Sequence, residues 1–195
     1  MTMSVESKRS PELSAHAGLL RFLSRVFLRE LDVEFIHVLR QSAVGDVLVK
    51  ADPTMTEFLR SDPSPRELEE AAIEYCRLFV VPGACLPVAS AWQARTEDEK
   101  TTGPDDAVAS VVRALMESQK LSLGAELTTL PPDHISVALE IAAWLELEAE
   151  PVESREFRSV VLRSWAAPFA QRLGVVAEHP VYRAAGRLLS EAFEA

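Results

Sequence analysis

Asp133 and His134 are the strongest candidates in this chain for residues whose types and spacing could support catalysis. They place a carboxylate beside a titratable imidazole after Pro132, at the start of a predicted helix. A small all-α metal-dependent hydrolase could use this pair, but zinc would need further histidine or carboxylate ligands at helical spacing, and none is evident. A second interpretation is structural, because an aspartate at this position commonly caps a helix. Alternatively, the pair offers a hydrogen-bond acceptor and a titratable donor or acceptor near a groove, and all three interpretations stay open from these residues alone.

Other catalytic patterns are missing from the sequence. The four histidines are widely spread, and the chain contains no HExxH motif, no CxxC motif and no glycine-rich phosphate loop. Cys76 and Cys85, the two cysteines, match neither a zinc framework nor a redox pair. We therefore predict no catalytic residues, no metal and no cofactor, and we assign no function to either thiol.

The segment EYCRLFVVPGACLPVAS, residues 74–90, suggests binding rather than catalysis. A helical face with Tyr75, Leu78 and Phe79 runs directly into an apolar loop, although surface loops are usually polar. A tyrosine with a polar tip, two large apolar side chains and a rigid proline-containing loop suit a peptide-binding groove, because they offer contact area at little ordering cost. The alternative is a buried helix face followed by a packed loop.

Helices must position both segments. The chain has only 7 glycines, is rich in alanine, leucine and glutamate, and shows almost no alternating strand pattern. Ser64, Pro65 and Glu67 predict a capped helix start, and Pro82 and Gly83 end that helix. A further helix is predicted to begin near Pro132, which takes the first turn. The other helices are predicted at about 11–30, 32–49 and 53–59, from 104, at 154–176 with a kink at Pro168, and at 179–193.

The predicted architecture is all-α, a single-domain helical bundle of roughly eight helices spanning residues 1–195. The polar segment QARTEDEKTTGPDD separates its two halves, and residues 95–104 could act as a hinge.

Charge and hydropathy limit the classes of partner and the location that we expect for this protein. Thirty acidic and 20 basic residues give a formal charge of −10, which opposes binding to nucleic acid and to anionic membrane surfaces and suits a basic partner. The absence of a basic recognition helix argues against a transcription regulator. The N-terminus has no apolar run typical of a secretory signal, and no stretch reaches the roughly 18 apolar residues of a membrane helix. We expect a cytoplasmic protein without stable membrane insertion.

Together, EYCRLFVVPG and LPVAS in residues 74–90 and PPDHISVALEIAAWL in residues 131–145 resemble the TorD/DmsD/NarJ family of redox-enzyme maturation chaperones. The chain departs from the family pattern at Val80-Val81-Pro82-Gly83, at Leu86, at Ala89 and at Ala138. The resemblance covers about residues 17–193 and extends to four C-terminal aromatic residues, Phe157, Trp165, Phe169 and Tyr182.

This resemblance implies an all-helical chaperone, not an enzyme. Family members bind the N-terminal twin-arginine leader of a molybdopterin-containing oxidoreductase subunit in the cytoplasm, hold the apoenzyme until its cofactor is inserted, and delay export. Some relatives serve enzymes that are not exported. The implied contacts with the leader come from Tyr75, Leu78, Phe79, Pro87, Ser90, Asp133 and His134, with support from Glu74, Gly83 and Pro132. The identity of the client, its export and the choice between monomer and dimer stay open.

Overall fold

Ten α-helices make up the described part of the chain, which in this computed structural model is residues 11–92 and 107–194. Short 3-10 turns lie at Ala89–Ala91 and Leu127–Thr129, and a π-helical segment, Arg158–Leu162, continues the eighth helix. These residues form no strand, so the predicted all-α class is confirmed. The helices are α1 Pro11–Leu28, α2 Val33–Gln41, α3 Ala43–Ala51, α4 Met55–Phe58, α5 Pro65–Phe79, α6 Ala107–Ser118, α7 Ile135–Glu148, α8 Pro151–Phe157, α9 Ala166–Val176 and α10 Pro180–Glu194.

The central helix is α7, in which ten of 14 residues are buried. A helix that is apolar nearly all round must be covered on every side. Helix α1 packs along α7. In a separate pair, α9 packs along α10. Ser24 and Ser136 join α1 to α7, because each hydroxyl donates a hydrogen bond to the other residue's carbonyl oxygen at 2.8 Å. Two polar side chains are thereby satisfied inside the core.

An aromatic cluster receives the C-terminal end of α5. The Phe79 ring lies edge-on to Phe27 of α1 at 5.7 Å and to Tyr182 of α10 at 5.5 Å between ring centroids. Phe169 of α9 packs against Phe27 at 5.4 Å in the same manner. Edge-to-face pairs add to the stabilisation that the rings gain from burial. This cluster therefore holds the C-terminal end of α5 against α1 and α10.

The start of α5 has the predicted capping box. The Glu67 carboxylate accepts from the Ser64 N–H at 2.7 Å, the Ser64 hydroxyl accepts from the Glu67 N–H at 3.3 Å, and Pro65 occupies the first helical position.

Two helices predicted to be continuous are broken. The predicted helix at 32–49 divides at Ser42, whose hydroxyl donates to the Leu39 carbonyl oxygen at 3.1 Å. The backbone at Gly45 lies close to the same Leu39 oxygen at this break. Glycine permits the approach, because a Cβ at position 45 would lie 2.6 Å from that oxygen.

The predicted helix at 154–176 is also wrong, since a turn at 163–165 separates the π-helical segment from α9. The kink predicted at Pro168 is therefore wrong as well. Pro168 is the third residue of α9, where its missing N–H removes no helical hydrogen bond. The predicted hinge at 95–104 and the predicted helix start at Pro104 lie outside the described residues. None of the described helices is long and apolar enough to cross a membrane.

Candidate functional site

The loop after α5 folds back over the end of its own helix. The N–H groups of Ala84 and Cys85 donate to the carbonyl oxygens of Arg77 and Leu78, at 3.0 and 2.8 Å. These bonds satisfy carbonyl groups that a helix end otherwise leaves without partners. The approach requires glycine at position 83, because a Cβ on Gly83 would lie 2.5 Å from the Leu78 oxygen.

The structure brings the two predicted segments together at one junction. The carbonyl oxygen of Pro87 accepts from the Ile135 N–H at 2.8 Å, and the carbonyl oxygen of Asp133 accepts from the Ala89 N–H at 3.0 Å. The Asp133 carboxylate also accepts from the backbone N–H of Ser90, at 3.0 Å. We call this arrangement the 87–135 junction. It fixes the apolar loop against the start of α7.

His134 caps α7, which begins at Ile135. Its ring Nδ1 accepts from the Ser136 N–H at 3.1 Å, so the cap is an imidazole and not the Asp133 carboxylate. Pro132 lies before the helix and not in its first turn, which corrects the sequence prediction. Burial lowers the pKa of His134 to about 4, against the opposing effect of the Asp133 charge. The ring is therefore neutral at pH 7 and can keep this acceptor role.

Most of the predicted ligand-contacting residues lie inside the protein. Five of the seven are buried and the other two are partly buried; the buried ones are Leu78, Phe79, Pro87, Asp133 and His134. Leu78 is 0% exposed and Phe79 is 6% exposed. Tyr75 is half-buried, its hydroxyl donates to the Phe27 carbonyl oxygen at 3.1 Å, and burial raises the pKa of Tyr75 to about 12. In this conformation Tyr75 and Phe79 pack against each other and against Tyr182 of α10, inside the fold. The exposed large apolar side chains of the loop are Val80, which is 49% exposed, and Val81, which is 77% exposed.

Glu74 links α5 to the start of α10. Its buried carboxylate accepts from Arg77 at 2.6 Å and from the backbone N–H groups of Glu178 and His179 at 2.7 and 3.4 Å. Burial raises the pKa of Glu74, but the hydrogen bond from Arg77 and those from the two N–H groups outweigh it, so the pKa lies below its ordinary value. Glu74 thus has a supporting function in the scaffold.

An apolar groove with a volume of about 370 Å³ lies beside the start of α7. We call it the α6–α7 groove. Pro132 lines it, together with residues that sequence reasoning did not single out. The feature of the sequence that could have indicated these residues is the segment KLSLGAELTTL, residues 120–130, which places four leucines in a loop. The groove is lined by Arg113, Met116, Glu117, Leu121, Leu123, Leu127, Thr128, Leu130, Pro132 and Val137.

The residues that the structure describes contain no set of side chains suited to bind a metal ion. No group of three or more histidine, cysteine, aspartate or glutamate side chains is arranged there to hold an ion. Cys76 and Cys85 are free thiols. Cys85 is buried, its Sγ lies 3.6 Å from the Phe169 carbonyl oxygen, and burial raises its pKa to about 12. Its reactive thiolate form is therefore suppressed at neutral pH.

Comparisons with known proteins give one family and one fold. The nitrate reductase delta subunit family matches residues 43–171, well over half of the chain. A crystal structure from Archaeoglobus fulgidus, named as a redox enzyme maturation protein, is similar with a TM-score of 0.59 and 20% sequence identity, and the similarity covers 100% of both chains. At this identity the likeness shows a shared fold. A comparison with curated proteins found no match.

Proposed function

Since this chain belongs to the nitrate reductase delta subunit family, of the NarJ/TorD type, we propose that it binds the N-terminal, twin-arginine-type leader of a molybdopterin oxidoreductase subunit. Family membership makes the chain a redox-enzyme maturation chaperone and not an enzyme. In this proposal it acts in the cytoplasm, holds the apoenzyme for cofactor insertion and delays its export. The hydrolase alternative at Asp133 and His134 is thereby set aside.

The observation that carries this proposal is the 87–135 junction. It joins the two segments on which the family resemblance rests, through hydrogen bonds made by Pro87, Ser90 and Asp133. A surface that is already ordered loses little conformational entropy when a flexible peptide binds to it. The junction therefore supports a preformed peptide site better than a site that assembles around its ligand.

The predicted residues take different parts in this site. Ser90, Asp133 and His134 hold its backbone in place, and Tyr75, Leu78 and Phe79 form the packed layer beneath it. Gly83 and Glu74 fix the loop and the helix that carry it, and Pro132 leads from the junction into the α6–α7 groove. A leader would contact the exposed surface above this layer.

Charge supports a basic ligand. The surplus of ten acidic charges attracts a peptide with paired arginines and raises its rate of encounter, and salt screens that attraction. We expect the association rate of a leader peptide to fall as ionic strength rises, and the dissociation rate to change much less.

Affinity capture from the source cells tests the function directly. The protein should retain an oxidoreductase subunit that lacks its molybdopterin, identified by mass spectrometry. Deleting the leader of that subunit should abolish capture, and adding free leader peptide should release the bound subunit. Equal capture of the leaderless subunit would contradict the proposal.

A further inference from the structure

We propose that the α6–α7 groove binds the apolar segment of the leader and that Glu117 pairs with the basic residues next to that segment. This inference rests on the proposed function and deepens it. It assigns binding to residues of α6 and of the loop at 119–130.

The groove has an accessible apolar lining. Five side chains from α6 and the following loop are only partly buried although they are large and apolar, namely Met116, Leu121, Leu123, Leu127 and Leu130. Clustered exposed apolar surface of this kind marks interaction sites in soluble proteins. A volume of about 370 Å³ fits a few side chains of an extended or helical segment, and it is too small for a folded domain.

The groove lies next to the 87–135 junction. Pro132 lines it and directly precedes Asp133, whose carboxylate accepts from Ser90. Val137, in the first turn of α7, forms part of its floor. A peptide in the groove would therefore lie close to the junction.

Two charges lie on the α6 side of the groove, four residues apart. Arg113 and Glu117 both line it, and in the described part of the chain neither forms an ion pair within 4.0 Å. The nearby acid Glu126 is different, because it already pairs with Arg29 at 2.8 Å. Glu117 is thus the lining carboxylate that is available to a basic ligand.

The position of Glu117 gives the peptide a direction. Glu117 lies in the last turn of α6, where the helix carbonyl groups carry partial negative charge. An acid is unfavourable to the helix there, but the combined negative potential favours a cationic ligand. Arg113, one turn earlier, repels the same ligand. The arginines of the leader should therefore lie toward the C-terminal end of α6. Lys120, the next basic residue beyond that end, does not line the groove.

The test uses three labelled peptides and fluorescence anisotropy. The first carries two arginines before an apolar segment, the second carries two glutamines before the same segment, and the third carries two arginines before a glycine–serine segment. Met116→Gln changes the groove without a large change in side-chain shape or helix propensity. Val111→Thr on the same helix is its control. Glu117→Gln removes the proposed charge, and Glu69→Gln on the exposed face of α5 is its control.

We expect Met116→Gln to weaken binding of the first peptide by about tenfold, because a polar amide replaces an apolar anchor. Glu117→Gln should weaken the first peptide and leave the second unchanged, whereas Arg113→Gln should strengthen the first. Opposite signs at Arg113 and Glu117 would not arise from a merely structural role. Both controls should bind as the wild type does.

Three results would overturn the inference. Wild-type affinity in both Met116→Gln and Glu117→Gln, with unchanged melting temperatures, would remove the groove from the site while leaving the proposed function intact. Equal wild-type affinity for the first and second peptides would remove the Glu117 pairing. Failure of the wild type to bind the first peptide would overturn the proposed function, and this inference with it.

Discussion

The carboxylate of Asp133 accepts a hydrogen bond from the backbone N–H of Ser90 at 3.0 Å, across 43 residues of sequence. The same two segments also exchange backbone hydrogen bonds through Pro87, Ala89 and Ile135. Asp133 therefore fixes the position of a loop that it does not belong to, while the neighbouring His134 caps the helix.

Asp133→Ala should destabilise the protein by about 1–3 kcal/mol, because it leaves the partly buried Ser90 N–H without its acceptor. Asp133→Asn keeps an amide oxygen that can accept the same bond, so its effect should be clearly smaller. Urea unfolding of the two variants measures the difference. Equal losses for alanine and asparagine would show that the charge matters and not the acceptor.

Gly83→Ala should destabilise the protein, because the new Cβ would lie 2.5 Å from the Leu78 carbonyl oxygen, which belongs to the rigid helix end. We expect a loss of about 1–3 kcal/mol, as for other strained backbone sites. Gly18→Ala is the matched control, since a Cβ there meets nothing within 4 Å and alanine favours the α1 helix by roughly 0.5–1 kcal/mol. Thermal melts of both variants should therefore shift in opposite directions, and a common direction would contradict this account.

Glu74→Ala removes the acceptor shared by Arg77 and the backbone N–H groups of Glu178 and His179. The expected loss of unfolding free energy is about 2–3 kcal/mol, because a buried N–H and a guanidinium lose their partner. Glu69→Ala, on the exposed side of the same helix, should stay within about 0.5 kcal/mol of the wild type. A loss at Glu74 no larger than at Glu69 would show that the α5–α10 link is unimportant for stability.

Stability should fall as the pH is lowered from 7 to 5. Burial lowers the pKa of both His134 and His179 to about 4, against an ordinary value of 6.5. Between these values the unfolded chain binds protons that the folded chain does not, so stability is complete above about pH 6.5 and decreases toward pH 4. The loss at pH 5 should be about 1–2 kcal/mol for each ring.

His134→Asn separates the contribution of that ring. Asparagine keeps a good helix cap but does not titrate, so the variant should lose less stability than the wild type between pH 7 and pH 5. Urea unfolding at both pH values provides the comparison. An identical loss in the variant would show that His134 does not contribute to the pH dependence.

Local signals in the sequence predicted the fold well where short-range chemistry determines it. Ser64, Pro65 and Glu67 define a helix start by themselves, because the capping hydrogen bonds join neighbouring residues. The break at Ser42 could not be predicted in this way. No proline stands there, and the close approach of Gly45 to Leu39 depends on how α3 packs.

The candidate site was predictable in its segments but not in its contacts. The sequence favoured Asp133 as a helix cap or a ligand contact, whereas tertiary structure makes it the acceptor for Ser90 and leaves the cap to His134. Periodicity identified Leu78 and Phe79 as apolar positions, but it could not distinguish a groove wall from the buried layer beneath one. The leucines of the α6–α7 groove lie in irregular backbone, where no helical period reveals a shared face.

Amide hydrogen exchange, measured with and without a saturating peptide that carries paired arginines and an apolar segment, tests the central claim most directly. We predict slower exchange in residues 80–92 and 113–137, which contain the apolar loop, the residues that line the groove and the 87–135 junction, with no change in α3 or in α10. Slower exchange confined to α3 and α10, or no change anywhere at saturation, would contradict the claim that this chaperone binds its client's leader at the junction.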